Sequence, residues 1–382
     1  MKIENQQRIA LSTYFFLSGF CFSTWASRIP TIKMAFDFNE AELGNLLMVM
    51  PISSLIGLPV SGWLVSRFES RYPLIVSYIL LAASLSIIGI ADSLFLLITG
   101  IFCFAFSMRI FNIAMNTQSL TLQKNFKRKI IGSFHGLWST GGLLGVAFST
   151  ILIKFDVPIY QHLPAVAIFT LVIAFSSFSF LLKKDRSTQG NKLRIGKPDK
   201  PTMYLGFIVF LAAITEGGMF DWSGVYFKEV VNEDIFTLGY LIFMVFMALS
   251  RFSSDRIVEK IGMEKNYIIS ACLVCLGVLL MVIFPYFWPA LIGFCLVGIG
   301  VAAIIPMTFL LAGSSKKYSP GMAISIITTY AIVGMLLGPP LVGYLAHLFN
   351  LKVSFILFFI SALMLIPISQ LFFKKQKENI EE

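Results

Sequence analysis

The sequence predicts an all-α membrane protein: twelve transmembrane helices arranged as two pseudo-symmetric six-helix bundles. Three observations lead there. Across 382 residues, hydrophobic side chains make up 57% and charged ones only 13%, with a mean hydropathy of +0.82. Soluble domains carry about 25% charged residues, so this chain cannot cover a soluble surface. That excludes a cytosolic enzyme, a secreted disulfide scaffold and a disordered regulator. Second, the apolar residues fall in runs close to the roughly 20 needed to cross a bilayer. Third, the longest polar stretch, 183–203, lies at the middle of the chain with six apolar runs on each side.

The spans follow in order. Span 1 (9–28) sits behind Lys2 and Arg8 and superficially resembles a signal peptide. A run of about 20 residues with eleven more spans behind it reads instead as a retained first helix. Spans 2 (42–65) and 3 (73–91) carry no charge away from their ends, and span 4 (94–118) carries Arg109 alone. Span 5 (131–154) holds Gly136, Gly141, Gly142 and Gly145, small residues that suit close helix packing. Span 6 (163–182) completes the first half. The stretch from Lys183 to Thr202 is polar, basic and contains Gly and Pro, as a flexible connector should be.

Span 7 (204–226) opens the second half and contains Glu216 and Asp221. Span 8 (237–252) is short. Span 9 (267–286) includes Cys272 and Cys275, whose CxxC spacing lies in an apolar helix without a nearby His or second Cys pair; both read as packing residues. Span 10 (289–312) contains Pro306, which removes a helix hydrogen bond and should kink the helix, with the freed carbonyl facing protein or a cavity. Span 11 (321–346) reads Gly334-x-x-x-Gly338-Pro339-Pro340-x-x-Gly343, close-packing glycines beside a bend. Span 12 (352–373) ends in Lys374, Lys375 and Lys377.

A net charge of +10 is by itself compatible with nucleic acid, but position argues against it. If the spans alternate, 24 of the 30 Lys and Arg fall on the side of the N-terminus and five on the other. This is the positive-inside bias, and it puts both termini in the cytoplasm. Three scattered histidines support no metal site, and no phosphate-binding loop or catalytic cluster is present. No cofactor is expected, and the chain does not read as an enzyme.

The halves echo one another. Gly62-Trp63-Leu64-Val65-Ser66-Arg67-Phe68-Glu69-Ser70-Arg71 follows span 2, and Ser250-Arg251-Phe252-Ser253-Ser254-Asp255-Arg256 through Gly262 follows span 8, with Ser66-Arg67 and Asp255-Arg256 189 residues apart. Trp25 near the end of span 1 returns as Trp222 near the end of span 7, 197 residues later. Repeated bundles with a site at their interface are a secondary-transporter plan.

These loops resemble the G-x-x-x-D-R-x-G-R-R signature of the major facilitator superfamily, and the resemblance extends over the whole chain. It implies a twelve-helix fold of two rocking halves, spans 1, 4, 7 and 10 lining the cavity, and a monomer. The second copy keeps Asp255, Arg256 and Gly262; the first has Ser66 at the Asp position and Glu69 at the Gly position. The family's cytoplasmic lock is therefore expected to be weaker at Arg67, or carried by Glu69. Trp25-Ala26-Ser27-Arg28-Ile29-Pro30, Ala114-Met115-Asn116-x-Gln118, Phe134-His135-Gly136-Leu137-Trp138-Ser139 and Glu216-Gly217-Gly218-Met219-x-Asp221-Trp222 are similar to a bacterial inner-membrane branch near the fucose-permease-like group. That branch tends to carry Asp where this chain has Asn112, a departure that argues against a proton carrier in span 4.

Charge inside a membrane is costly, about 2.5–3.5 kcal/mol for Arg or Asp at a helix centre on the insertion scale, so such residues need a partner or a task. Arg109 lies about 22 Å into span 4, with Asn112 and Asn116 on the same face. The stripe suits a carboxylate, a phosphate or sugar hydroxyls; the alternative is a structural ion pair. Glu216 lies about 18 Å into span 7, and Gly217 and Gly218 give it room. A carboxylate there can exchange a proton, or form a fixed salt bridge, for which Arg109 is one partner. Asp221 is either a second coupling group or an interfacial cap. Trp25 and Trp222 read as interface anchors or as aromatic platforms over a ligand, and Arg28 as an interfacial cation. His135 reads as a loop or gate residue. Asp255, Arg256, Arg67, Glu69, Pro306, Gly338 and Pro339 are the expected conformational elements.

The function these features favour is alternating-access transport of a small polar solute, sugar-like or an organic anion, across the inner membrane, with proton symport. The competing reading is a multidrug or metabolite efflux antiporter, with a Phe- and Met-rich cavity drawn from the 38 Phe and 16 Met. Span 5 lacks the Gly-Pro element of drug–proton antiporters, which counts against it.

Overall fold

The computed structural model describes residues 3–126, 130–183, 198–315, 317–318 and 320–381. All of its regular elements are helices: α1 (Ile3–Ala26), α2 (Ile29–Ala35), α3 (Glu40–Arg67), α4 (Arg71–Ile90), α5 (Leu94–Gln123), α6 (Ile131–Lys154), α7 (Ile159–Phe178), α8 (Lys200–Glu229), α9 (Leu238–Ile261), α10 (Met263–Ile283), α11 (Phe287–Val301), α12 (Ile304–Gly313), α13 (Pro320–Leu348), α14 (Leu351–Ser354) and α15 (Ile356–Glu381). Among the described residues, eleven stretches are long and apolar enough to cross a membrane. The short span 8 is the exception: only Leu238–Arg251 of α9 is apolar. Most of the connector between the halves, and Lys127, Arg128 and Lys129, lie outside the described residues.

Two apolar stretches are broken, one where span 1 was expected to end and the other inside span 10. The first breaks at residues 27–28, where Pro30 opens α2 within its first turn, the one place in a helix that tolerates a missing N–H. Span 10 breaks at Ala302–Ala303, between α11 and α12. Pro306 lies four residues beyond Ala302, so it cannot donate to the Ala302 carbonyl and its ring crowds it.

The chain forms two compact units: Met1–Phe36 with Val49–Lys192, and Asp37–Met48 with Leu193–Glu382. The first turns of α3 thus belong to the second unit. There Gly44 lies against Pro339 and Pro340, a methyl at Gly343 would meet the Glu40 carbonyl, and Tyr344 Oη donates to Asn45 Oδ1 at 3.0 Å.

Helix pairing repeats between the units. In the first, α1 packs on α6 and α7, and α4 on α5 and α7; in the second, α8 packs on α13 and α15, and α10 on α11 and α15. Glycines make the closest approaches. A methyl at Gly145 of α6 would come within 2.6 Å of the Phe20 carbonyl of α1, and one at Gly334 of α13 within 2.5 Å of the Phe210 carbonyl of α8. Gly136 is different: nothing lies within 4 Å of a methyl there.

Buried polar groups pin each core. In the first unit Tyr14 Oη donates to the Ala174 carbonyl at 2.7 Å, and the Cys21 thiol lies 3.5 Å from Tyr78 Oη. In the second, Tyr226 Oη donates to the Met281 carbonyl at 2.7 Å and Tyr267 pairs with Thr308 at 2.7 Å. Each bond satisfies a hydroxyl that has no water to turn to in a membrane.

Candidate functional site

In the first unit, α5 runs unbroken from Leu94 to Gln123, and it holds Arg109, Asn112 and Asn116 on one face. All three are half-buried. Asn116 Nδ2 donates back to the Asn112 carbonyl at 2.8 Å, which uses one of its two N–H groups within its own helix. The stem of Arg109 passes α3 at Gly57, where a methyl would lie 3.2 Å from Arg109 Cβ. Arg109 Nε is buried and unpartnered. Among the described residues, Arg109 forms no ion pair.

In the second unit, α8 starts where Asp199 accepts from the Thr202 backbone N–H at 3.3 Å, a normal helix N-cap. Sixteen residues along α8 from Lys200, Glu216 is buried and its Oε1 meets Arg251 Nη2 at 2.8 Å. The anticipated pairing with Arg109 is thus replaced by one with Arg251, which the loop motif had grouped with the basic residues after span 8. Arg251 reaches further: its Nε donates to the Ala302 carbonyl at 3.3 Å. That is the carbonyl Pro306 releases. Ser250 Oγ, next in sequence, donates to the Ile299 carbonyl at 3.2 Å. The break in span 10 therefore faces protein, and α9 supplies side-chain donors to two of its carbonyls. Glu216 Oε2 is buried and unpartnered.

The two glycines after Glu216 differ. Gly217 has only Met335 Cγ at 3.8 Å from a methyl position, whereas the space beside Gly218 is filled by the Phe358 ring. Asp221 is half-buried, with neither hydrogen bond nor ion pair among the described residues.

Trp25 and Trp222 are 1% and 0% exposed, which rules out interface anchors. Both indole N–H groups are unpartnered, as are the hydroxyls of their neighbours Thr24 and Ser223. Trp25 lies against Phe104, centroids 6.2 Å apart. Arg28 is likewise not interfacial. It is 4% exposed, and donates from Nε to His162 Nδ1 at 2.9 Å and from Nη2 to the Val157 carbonyl at 2.6 Å, tying the α1–α2 elbow to the start of α7.

Of the conformational residues, Arg67 is exposed at the end of α3, and Glu69 pairs with Arg71 at 2.9 Å. A methyl at Gly338 would lie 3.6 Å from Ile214 Cα, and α13 stays helical through Pro339 and Pro340. Asp255 and Arg256 fall in α9, but their side chains lie outside the described residues. His135 is exposed and stands edge-on to Phe15, centroids 5.6 Å apart.

Sequence reasoning missed Arg251 and the Arg28–His162 contact. The signal for Arg251 was present: an Arg at the end of an apolar run too short to span must find a partner near membrane depth.

The family described as Major Facilitator Superfamily matches residues 11–319 and 264–382. Membrane protein MosC of Rhizobium meliloti is 30% identical over 380 residues, covering 98% of this chain and 91% of its own. An uncharacterised MFS-type transporter of Yersinia pestis is 27% identical over 351 residues, 91% of each, and a nitrite extrusion protein of Bacillus subtilis is 27% identical over 196 residues, 50% of this chain and 48% of its own. Among solved structures, a mutant of the nucleoside transporter NupG superposes with a TM-score of 0.77 at 12% identity, covering 97% of this chain and all of that one. A bacterial homologue of the human lysosomal transporter Spinster gives 0.73 at 12% identity, over 96% of both. At such identities these two establish the fold alone.

Proposed function

The chain belongs to the major facilitator superfamily, and from that premise we propose that this membrane transporter carries a small polar solute by alternating access, with protons moving in the same direction. Arg109, Asn112 and Asn116 contact the solute. Glu216 takes up and releases the coupling proton, with Asp221 as a second site on the same helix. The observation that carries the reading is the ion pair of buried Glu216 with half-buried Arg251 at 2.8 Å, with one Glu216 oxygen unpartnered. A proton added to Glu216 cancels its charge and weakens its hold on Arg251. Arg251 also holds the Ala302 carbonyl, so protonation reaches the break in span 10 directly. Trp25 and Trp222, being buried, meet solute only in a state where their helices have moved. The bias of Lys and Arg supports a cytoplasmic position for both termini, and the reading is completed by a bacterial inner membrane and a monomer.

The test is proton flux in liposomes enclosing a pH-sensitive dye, offered glucose, sorbitol, gluconate or lactate. Wild-type protein moves protons with solute. Glu216→Gln and Arg251→Gln lose the proton movement while Glu216→Gln still binds solute. Proton flux unchanged in Glu216→Gln would show that another group carries the proton. The efflux reading draws support from the nitrite extrusion protein of Bacillus subtilis, which matches half of the chain. Protons moving opposite to solute would select it.

A further inference from the structure

We infer that the solute is an anion, a carboxylate bearing a neighbouring hydroxyl, held by the Arg109 guanidinium, with the Asn112 amide on the hydroxyl. This rests on the transporter reading and names its substrate class. Arg109 lies deep within α5, its Nε is buried and unpartnered, and it has no ion pair among the described residues. The carboxylates described in its own unit, Glu4, Glu69, Asp92 and Asp156, lie at helix ends or in connections. Glu216, the obvious neutralising group elsewhere, is committed to Arg251 at 2.8 Å. Asp221 forms no ion pair. A guanidinium cannot shed its proton, so among the described residues Arg109 is a cation without a counter-charge, at a depth where that is unfavourable.

A guanidinium fork binds carboxylates in two parallel hydrogen bonds, and a neutral hydroxyl cannot replace the charge. Asn112 follows one turn along the same face, about 4.5 Å up the axis. Its amide makes no hydrogen bond among the described residues, whereas that of Asn116 already gives one N–H to the Asn112 carbonyl. One cationic fork and one free amide, a turn apart, match an acid group beside a hydroxyl. Gly57 belongs to the same arrangement, because a larger side chain there would press on the Arg109 stem.

The first test needs no ligand. Removing half of an ion pair strands a charge, whereas removing a charge that was already alone relieves the fold. Arg109→Gln in detergent should melt at the wild-type temperature or above it, while Glu216→Gln melts below. A loss in Arg109→Gln matching that in Glu216→Gln would make Arg109 a structural ion-pair partner and overturn the proposal. The second test compares matched probes on wild-type protein by thermal shift: gluconate against sorbitol, glucuronate against glucose, lactate against 1,2-propanediol and propionate. Bound ligand raises the melting temperature by mass action. The hydroxy acids should stabilise and the neutral members should not, with binding at least tenfold weaker in Arg109→Gln. Asn112→Ala should erase the preference for lactate over propionate. Equal stabilisation by sorbitol or glucose, or a gluconate shift that survives in Arg109→Gln, would overturn the assignment. Stabilisation by phosphate or nitrate alone would overturn the carboxylate. Neither test involves protons. Arg109-dependent acid binding without proton flux would refute the coupling reading and leave this one intact, and proton-driven uptake of a neutral sugar would do the reverse.

Discussion

The buried side chains make different demands, and each can be tested singly. Trp222 fills core space but gains nothing from its indole N–H, which has no partner. Trp222→Phe should therefore fold and cost about 1 kcal/mol or less, since it also removes an unsatisfied donor. Trp222→Ala should cost about 3–5 kcal/mol through the cavity. Arg28 is the opposite case. Its guanidinium satisfies His162 and the Val157 carbonyl, so Arg28→Met strands one buried and one half-buried acceptor and should cost about 2–4 kcal/mol. Thermal unfolding in detergent checks both; near-equal losses in Trp222→Phe and Trp222→Ala would mean that the N–H has a partner. Arg28 was legible in the sequence as a cation near a helix end. Its burial was not, because whether a helix-end Arg meets water or protein depends on what α7 places beside it.

Helices here are held by small residues and broken where proline requires it. Gly145 and Gly334 sit where any side chain would strike a neighbouring backbone, and backbone cannot swing aside as a rotamer can. Gly145→Leu and Gly334→Leu should abolish folded protein, whereas Gly136→Ala, with nothing within 4 Å, should leave yield and melting temperature unchanged. Size-exclusion profiles of the three variants check this. The glycines of span 5 were grouped as packing residues from sequence; only the facing helix distinguishes Gly136 from Gly145. Pro306 was legible as a kink, because a missing N–H is a property of the residue itself. What its freed carbonyl meets was not legible. Arg251 Nε takes that position, so Pro306→Ala returns a competing backbone donor to Ala302. Proton-coupled flux should fall several-fold in Pro306→Ala while its folding is retained; unchanged flux would detach the break from coupling.

For the molecule as a whole, the paired units and the charge bias make one further prediction. Single cysteines replacing Lys2 and Lys377, in a background with Cys21, Cys103, Cys272, Cys275 and Cys295 substituted by Ser or Ala, should both be labelled by an impermeant maleimide from the cytoplasmic face alone. Labelling from opposite faces would mean an odd number of crossings and remove α9 as a span. Composition and order were enough to establish an all-helical membrane protein with two halves and a polar connector. Hydropathy, helix period and charge bias are local sums along the chain, and they survive without knowledge of neighbours. The partner of Glu216 is of another kind. Arg251 lies 35 residues away on a helix whose rotation is set by packing against α11, and no local sum encodes that angle. Packing likewise decided that Trp25 and Trp222 are buried and that the space beside Gly218 is filled by Phe358, since each is a statement about two surfaces brought together and not about one stretch of chain.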